Sequence, residues 1–217
     1  MFELPLFPLN TVLFPGMPLA LHIFEERYKE MIGICLEKRL PFGVILIRNG
    51  QEARGSLAEP YEVGCTARII NSESLPDGRM NIEVVGQNRF RLLSLKHDRP
   101  YLVGDVELYP LGEDNAPSLM QSGLRLRPWV QRYMQLLTNA CDVNLEPKQV
   151  PQDPLVLAYL AAVLLQVPPD QKQYLLAAER AIDLLTDMHA IYRREVALLQ
   201  AMFQGGSPTI ESSFSAN

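Results

Sequence analysis

Apolar positions at the start of the chain come in short bursts. Leu4 and Leu6, then Val12–Leu13–Phe14, are bounded by prolines and suit short strands better than a helix. Pro15–Gly16 marks a turn, because proline presets its φ and glycine accepts positive φ without a Cβ clash. Beyond it Leu19, Leu21 and Ile23 alternate with Ala20 and His22, predicting a strand with one apolar face. The period then changes. Phe24, Tyr28, Met31 and Ile32 fall at helical spacing, and Glu25, Glu26, Lys29 and Glu30 fill the opposite face.

Pro41–Phe42–Gly43 ends that helix, and Val44–Ile45–Leu46–Ile47 reads as a strand covered on both faces. Arg48–Asn49–Gly50 ends that strand, and a polar loop is expected after it through Glu59–Pro60. Cys65, Ala67 and Ile69 then alternate with Thr66, Arg68 and Ile70, and Met80, Ile82 and Val84 with Asn81, Glu83 and Val85, on either side of Pro76–Asp77–Gly78. This is a hairpin signal, with proline at the first corner and glycine at the left-handed position. Gly86 interrupts the pattern as a bulge or corner would, Phe90 to Leu95 resume it, and Tyr101 to Leu108 form a last strand. Six or so short strands with Pro/Gly corners point to a small barrel-like β domain carrying one helix.

A polar linker at 111–117 separates this part from a helical one. Leu119 to Asn139 has helical spacing around Pro128, which kinks the helix or begins a new one. Asp153 is placed to N-cap a helix opened by Pro154 and running to Gln166. The apolar run there, Leu155 to Val167, is shorter than the ~20 residues of a membrane span and reads as a buried helix. Asp170 starts a short helix through Ala177. Leu175, Ala178, Ile182, Leu185, Met188, Tyr192, Leu199 and Met202 then trace a long amphipathic stripe. Gly205–Gly206 stops the helix, and a Ser-rich tail follows. The expected organisation is therefore α+β: a barrel over residues 1–112, a helical bundle over 117–204 and a disordered tail over 205–217.

Composition narrows the function. The net charge of −5 argues against a broad nucleic-acid footprint. Three cysteines, Cys35, Cys65 and Cys141, are odd in number, far apart and without a CxxC pair, which suits reduced thiols in the cytoplasm. The N-terminus has no secretory pattern. His22, His97 and His189 lack metal-ligand spacing, and no cofactor or metal site is expected.

The stretches LPLFPLNTVLFPGMPLALHIFEERY, at 4–28, and VGCTARIINSESLPDGRMNIEVVGQNRFRLL, at 63–93, resemble the N-terminal domain of the Lon protease family. The second keeps that family's order: a glycine before a strand, a proline–aspartate–glycine hairpin, then a glycine followed by Arg89–Phe90. Lys172–Gln173–Tyr174–Leu175–Leu176 looks like the lysine–glutamine–x–leucine–leucine element of Lon's N-terminal helices. The phrase FPGMPLALHIFEERY is more typical of short, stand-alone members. The resemblance implies a PUA-like fold for the barrel and a family role in recognising polypeptide substrates. No GxxxxGK[ST] phosphate loop occurs, and no serine lies in the family's serine–lysine protease motif, so neither ATP hydrolysis nor peptide cleavage is expected.

The expected function is non-enzymatic binding of polypeptide, as an adaptor that presents clients to a protease or chaperone partner. RNA binding and a small-molecule or hydrolase cleft are the alternatives. Candidate contact residues are Phe14, Met17, Phe42 and Tyr61 near loops of the barrel, together with the groove between barrel and helices. Arg89 and Arg91, both opposite Phe90 by alternation, give a local positive stripe and complete the six candidates as contacts for phosphate or an acidic peptide; pairing with surface neighbours such as Glu83 is the competing reading.

Overall fold

The computed structural model describes residues 1–50, 59–112, 114–141 and 150–204. The expected helix stop at Gly205–Gly206 and the tail after it lie outside the described residues, as does the Cys141 side chain.

Seven strands and five helices are described: β1 (Phe2–Leu9), β2 (Pro18–Ile23), α1 (Glu26–Lys38), β3 (Phe42–Asn49), β4 (Glu59–Pro60), β5 (Val63–Ser74), β6 (Met80–Lys96), β7 (Leu102–Leu108), α2 (Ala116–Cys141), α3 (Pro154–Leu164), α4 (Pro169–Leu176) and α5 (Ala181–Gln204). Neighbouring strands run β1-β7-β6-β5-β3, and β3 returns to β1 as a parallel pair, so the sheet closes on itself. The other pairings in the ring are antiparallel. β2 lies outside the ring, against the first half of β6, and β4 lies against the end of β3.

The barrel interior is narrow. Leu4, Leu6, Ile45, Phe90, Leu102 and Val106 fill it. A Cβ on Gly64 would stand 2.5 Å from Phe90 Cζ, and one on Gly43 2.7 Å from Leu6 Cδ2, so glycine makes room there for the large side chains. α1 caps a second cluster through Tyr28, Met31, Ile32 and Cys35, and the Tyr28 ring stacks on Phe7 at 4.1 Å. Phe24, read as part of the helix face, precedes α1 and is exposed.

Several local expectations hold while others shift. Asp153 accepts hydrogen bonds from Leu155 N and Val156 N, both 2.9 Å, and Pro154 opens α3. Gly78 takes φ +78 at the hairpin, with its N–H on the Leu75 carbonyl. Val12–Leu13–Phe14 is buried but is not a strand. Pro128 sits inside a continuous α2 rather than ending it. Glu59–Pro60 pairs with β3 instead of belonging to a loop, and Met202, at the end of the α5 stripe, is exposed.

α2 and α5 start at the same end of the bundle, where Asp114 holds Ile182 N at 2.9 Å, and run side by side. Further along, Tyr133 and Tyr192 meet edge to face at 5.1 Å. Their hydroxyls fix α3: the Tyr192 hydroxyl donates to Ala161 O at 2.8 Å, and the Tyr133 hydroxyl accepts from Gln166 N at 3.1 Å. Val12, Phe14, Leu46 and Val63 of the barrel share one apolar cluster with the buried faces of α2 to α5.

Candidate functional site

Two grooves open where the barrel meets the helices. The first begins with the turn at Pro15–Gly16. The Met17 N–H donates to Phe14 O at 3.0 Å, with Pro15 at the first corner and Gly16 at φ +78, a type II turn. It is pinned to β6 through Gly86, whose carbonyl accepts from Gly16 N at 2.8 Å and whose N–H donates to Met17 O at 3.0 Å. A Cβ on Gly86 would lie 2.2 Å from Phe14 O, so residue 86 is glycine because the turn passes directly over it. β6 continues through this position, and the irregularity expected at Gly86 falls just beyond it, opposite Cys65–Ala67.

Across from the turn stands α3. Its small residues Ala158, Ala161 and Ala162 point into the core with Leu157 and Leu165, whereas Val156, Tyr159, Leu160 and Val163 face outward. Val156 is 54% exposed, and the other three are half-buried. With Pro15, Gly16, Pro18 and Pro151 they line an apolar groove of about 430 Å³. This face departs from expectation, since the apolar run Leu155–Val167, interrupted only by Tyr159 and Gln166, reads as a buried helix. The available signal was subtler: the small residues Ala158, Ala161 and Ala162 recur on the core side, whereas the other side of α3 carries bulky side chains at Val156, Tyr159, Leu160 and Val163.

The second groove, about 360 Å³, lies between the barrel and α4 and is lined by Tyr61, Arg48, Gln173 and Tyr174 among others. Gln173 anchors its wall, donating from Nε2 to Val63 O at 2.9 Å, while Leu175 and Leu176 are buried in the shared cluster. The lysine–glutamine–x–leucine–leucine element is thus a docking element that fastens α4 to the barrel. Partial burial holds the pKa of Lys172 below its ordinary value.

Of the six candidate contact residues, three are not available to a partner. Phe14 and Phe42 are fully buried, and Arg89 is 3% exposed. Alternation does place Arg89 and Arg91 on one side, with their guanidinium groups 4.7 and 4.1 Å from the Tyr109 ring centroid. The expected positive stripe does not form, because Arg89 turns into the barrel–helix junction. There its Nε donates to Tyr109 O, and its Nη1 donates to the carbonyls of Leu176 and Ala178. Burial lowers its pKa from the ordinary arginine value. Met17, in the turn, and Tyr61, in the second groove, are half-buried, and the structure does not bring the two into one site.

The histidines remain apart. His22 Nδ1 lies 2.8 Å from Asn81 Oδ1, and His189 meets Trp129 edge to face. Among the described residues no group of three or more His, Cys, Asp or Glu could hold a metal ion. No helix among them is long and apolar enough to cross a membrane.

The molecule is thus a closed β-barrel with one capping helix, joined through a shared core to a helical bundle and grooved along that junction. Solved structures with this fold include a Lon N-terminal domain protein from Xanthomonas campestris, at TM-score 0.65 and 26% identity, covering 88% of this chain and 98% of that one. The N-terminal domain of Mycobacterium avium complex Lon protease shares the fold at TM-score 0.68 and 15% identity, with the same coverage. The chain belongs to the family of the ATP-dependent protease La (LON) substrate-binding domain, which it matches over residues 3–193. Among curated relatives, Lon protease of Paraburkholderia phytofirmans is 29% identical over 168 residues, and Lon protease 1 of Hydrogenovibrio crunogenus 25% over 194. The alignments cover 77% and 88% of this chain but only 21% and 24% of those relatives.

Proposed function

We propose that this chain is a non-enzymatic polypeptide-binding module that holds exposed apolar segments of client proteins in the groove between the Pro15–Gly16 turn and α3. The observation that carries this reading is the groove-facing side of α3, where Val156 is exposed and Tyr159, Leu160 and Val163 are half-buried beside Pro15, Pro18 and Pro151. An apolar face of this kind costs solvation unless something covers it, and an unfolded segment supplies apolar side chains in any order. Membership in a substrate-binding family supports the same class of ligand. An adaptor role in protein quality control, delivering such clients to a protease or chaperone, follows from this reading. The free, buried thiols Cys35 and Cys65 go with a reducing, cytoplasmic setting.

The test is fluorescence anisotropy with a labelled, permanently unfolded polypeptide such as reduced, carboxymethylated lactalbumin. Val156→Asp places a charge in the groove at an exposed position, so the fold is retained. It is expected to weaken binding at least tenfold, and Arg48→Ala in the second groove much less. Equal binding by wild type and Val156→Asp would sink the assignment of the groove.

A further inference from the structure

The outer edge of β2 offers a different kind of site. Among the described residues β2 pairs with β6 alone. The Gly86 N–H donates to Met17 O, and these two residues continue the β2–β6 register directly opposite each other. In an antiparallel pair, hydrogen-bonded and non-hydrogen-bonded positions alternate, so the peptide groups of Leu19, Leu21 and Ile23 face β6. Those of Pro18, Ala20 and His22 face away. Proline, lacking an N–H, takes the first outward position, as prolines of edge strands do. Ala20 and His22 are left presenting N–H and C=O groups in strand geometry.

A slot of about 360 Å³ runs along this edge. Its floor is apolar, made by Phe7, Leu9, Leu21 and Ile23, and Tyr28 and Glu25 from the start of α1 close the far side. The neighbouring sheet face carries carboxylates. Ala20 is opposite Glu83, and a shallow depression beside it is lined, among the described residues, by Glu73 and Glu83 and by no lysine or arginine. Arg79, at the His22 end of the strand with Nη1 3.4 Å from His22 Nε2, is itself paired with Asp77. Strands lie about 4.8 Å apart, so a long basic side chain on a strand added outside β2 would reach over the small Ala20 to Glu83.

We propose that the outer edge of β2 accepts an extended polypeptide segment as an added strand, with one apolar side chain in the slot and a basic flanking residue directed to Glu83. Main-chain hydrogen bonds to Ala20 and His22 supply sequence-tolerant affinity, and the slot and the carboxylates supply preference. This surface is separate from the α3 groove and stands on its own geometry.

The probe is the pentapeptide acetyl-Lys-Val-Leu-Val-Lys-amide, followed by NMR titration of the full chain. The Ala20 and His22 amide signals are expected to shift and to become protected from exchange. N-methylation of the three central residues removes strand donors while keeping the side chains, and is expected to weaken binding at least tenfold. Ala20→Pro, which repeats the proline already tolerated at position 18, is expected to do the same, whereas Ala20→Val, which keeps the N–H, binds normally. Replacing the lysines by glutamate weakens binding several-fold, and Glu83→Gln reduces that discrimination. No detectable binding, binding unaffected by N-methylation, or binding unchanged in Ala20→Pro would each overturn the proposal. Val156→Asp leaves this titration unchanged, so failure here and failure of the α3 groove are read separately.

Discussion

Nη1 of Arg89, on the barrel's longest strand, lies 2.7 Å from the carbonyl oxygen of Leu176, the last residue of α4. The same nitrogen serves Ala178 O, and Nε serves Tyr109 O at 3.1 Å. One buried cation therefore satisfies carbonyls that the end of α4 leaves without helical partners, where the helix dipole also favours positive charge. Hydrogen bonding and packing, rather than linker length, hold α4 against the barrel.

Arg89→Met keeps the volume but strands those three carbonyls. We expect a loss of about 2–4 kcal/mol, measured by equilibrium urea unfolding, because a buried carbonyl without a donor carries its full desolvation cost. Arg89→Lys recovers only part, since one ammonium cannot reach both Tyr109 O and the end of α4. A loss under about 1 kcal/mol for Arg89→Met would show that water serves these carbonyls equally well.

Glycine positions divide by what surrounds them. Gly86→Ala would press a Cβ into the Phe14 carbonyl, which is backbone and cannot swing aside. It is expected to cost about 3 kcal/mol or more and to displace the turn that walls the groove, weakening client binding as well. Gly33, exposed inside α1 with nothing within 4 Å, is the opposite case. Gly33→Ala is expected to stabilise by about 0.5–1 kcal/mol and to raise Tm by a few degrees, as followed by circular dichroism.

These positions show what the sequence makes legible. Local chemistry was readable: the Pro15–Gly16 and Pro76–Asp77–Gly78 turns, the Asp153–Pro154 helix start and the alternation of β5 and β6 all depend on neighbours along the chain. Alternation also put Arg89 and Arg91 together on the face opposite Phe90. What periodicity cannot say is what covers a face. Arg89 reads as surface until α4, 87 residues on, is folded over it, and Phe14 looks like an exposed turn residue until α2 to α5 enclose it. The α3 groove was hidden for the converse reason, because an apolar helix reads as buried until one side is found uncovered.

Burial of the thiols also makes stability fall at alkaline pH. The Cys35 thiol is pushed up to about 11 and the Cys65 thiol to about 12, in both cases by desolvation of the thiolate. Below the ordinary thiol pKa of about 8.5 both folded and unfolded states hold the proton, and the full stability is present. As pH rises above that value the unfolded chain loses the proton first, so stability falls, and it goes on falling until the folded thiols titrate. Each thiol then removes about 1.4 kcal/mol per pH unit. Urea unfolding at pH 8 and pH 10 measures it, and Cys65→Ala is expected to lose about 2 kcal/mol less than wild type over that interval. Equal losses would place the alkaline sensitivity in other groups.

The last prediction concerns the wall of the groove itself. Asp153 caps α3 by accepting from Leu155 N and Val156 N, and Val156 is an exposed side chain that lines the groove. Asp153→Ala removes both bonds at an exposed helix start and is expected to cost about 1 kcal/mol, whereas Asp153→Asn, which can cap in the same way, costs much less. Because α3 is pinned further along by the Tyr192 hydroxyl on Ala161 O, the loss should stay in the first turn. Hydrogen exchange reads this directly: amides of Leu155 to Leu157 lose protection in Asp153→Ala while those near Ala161 keep theirs. If groove binding depends on a formed first turn, the affinity for unfolded polypeptide falls with that protection. If the amides fray and affinity does not change, Val156 is not part of the contact.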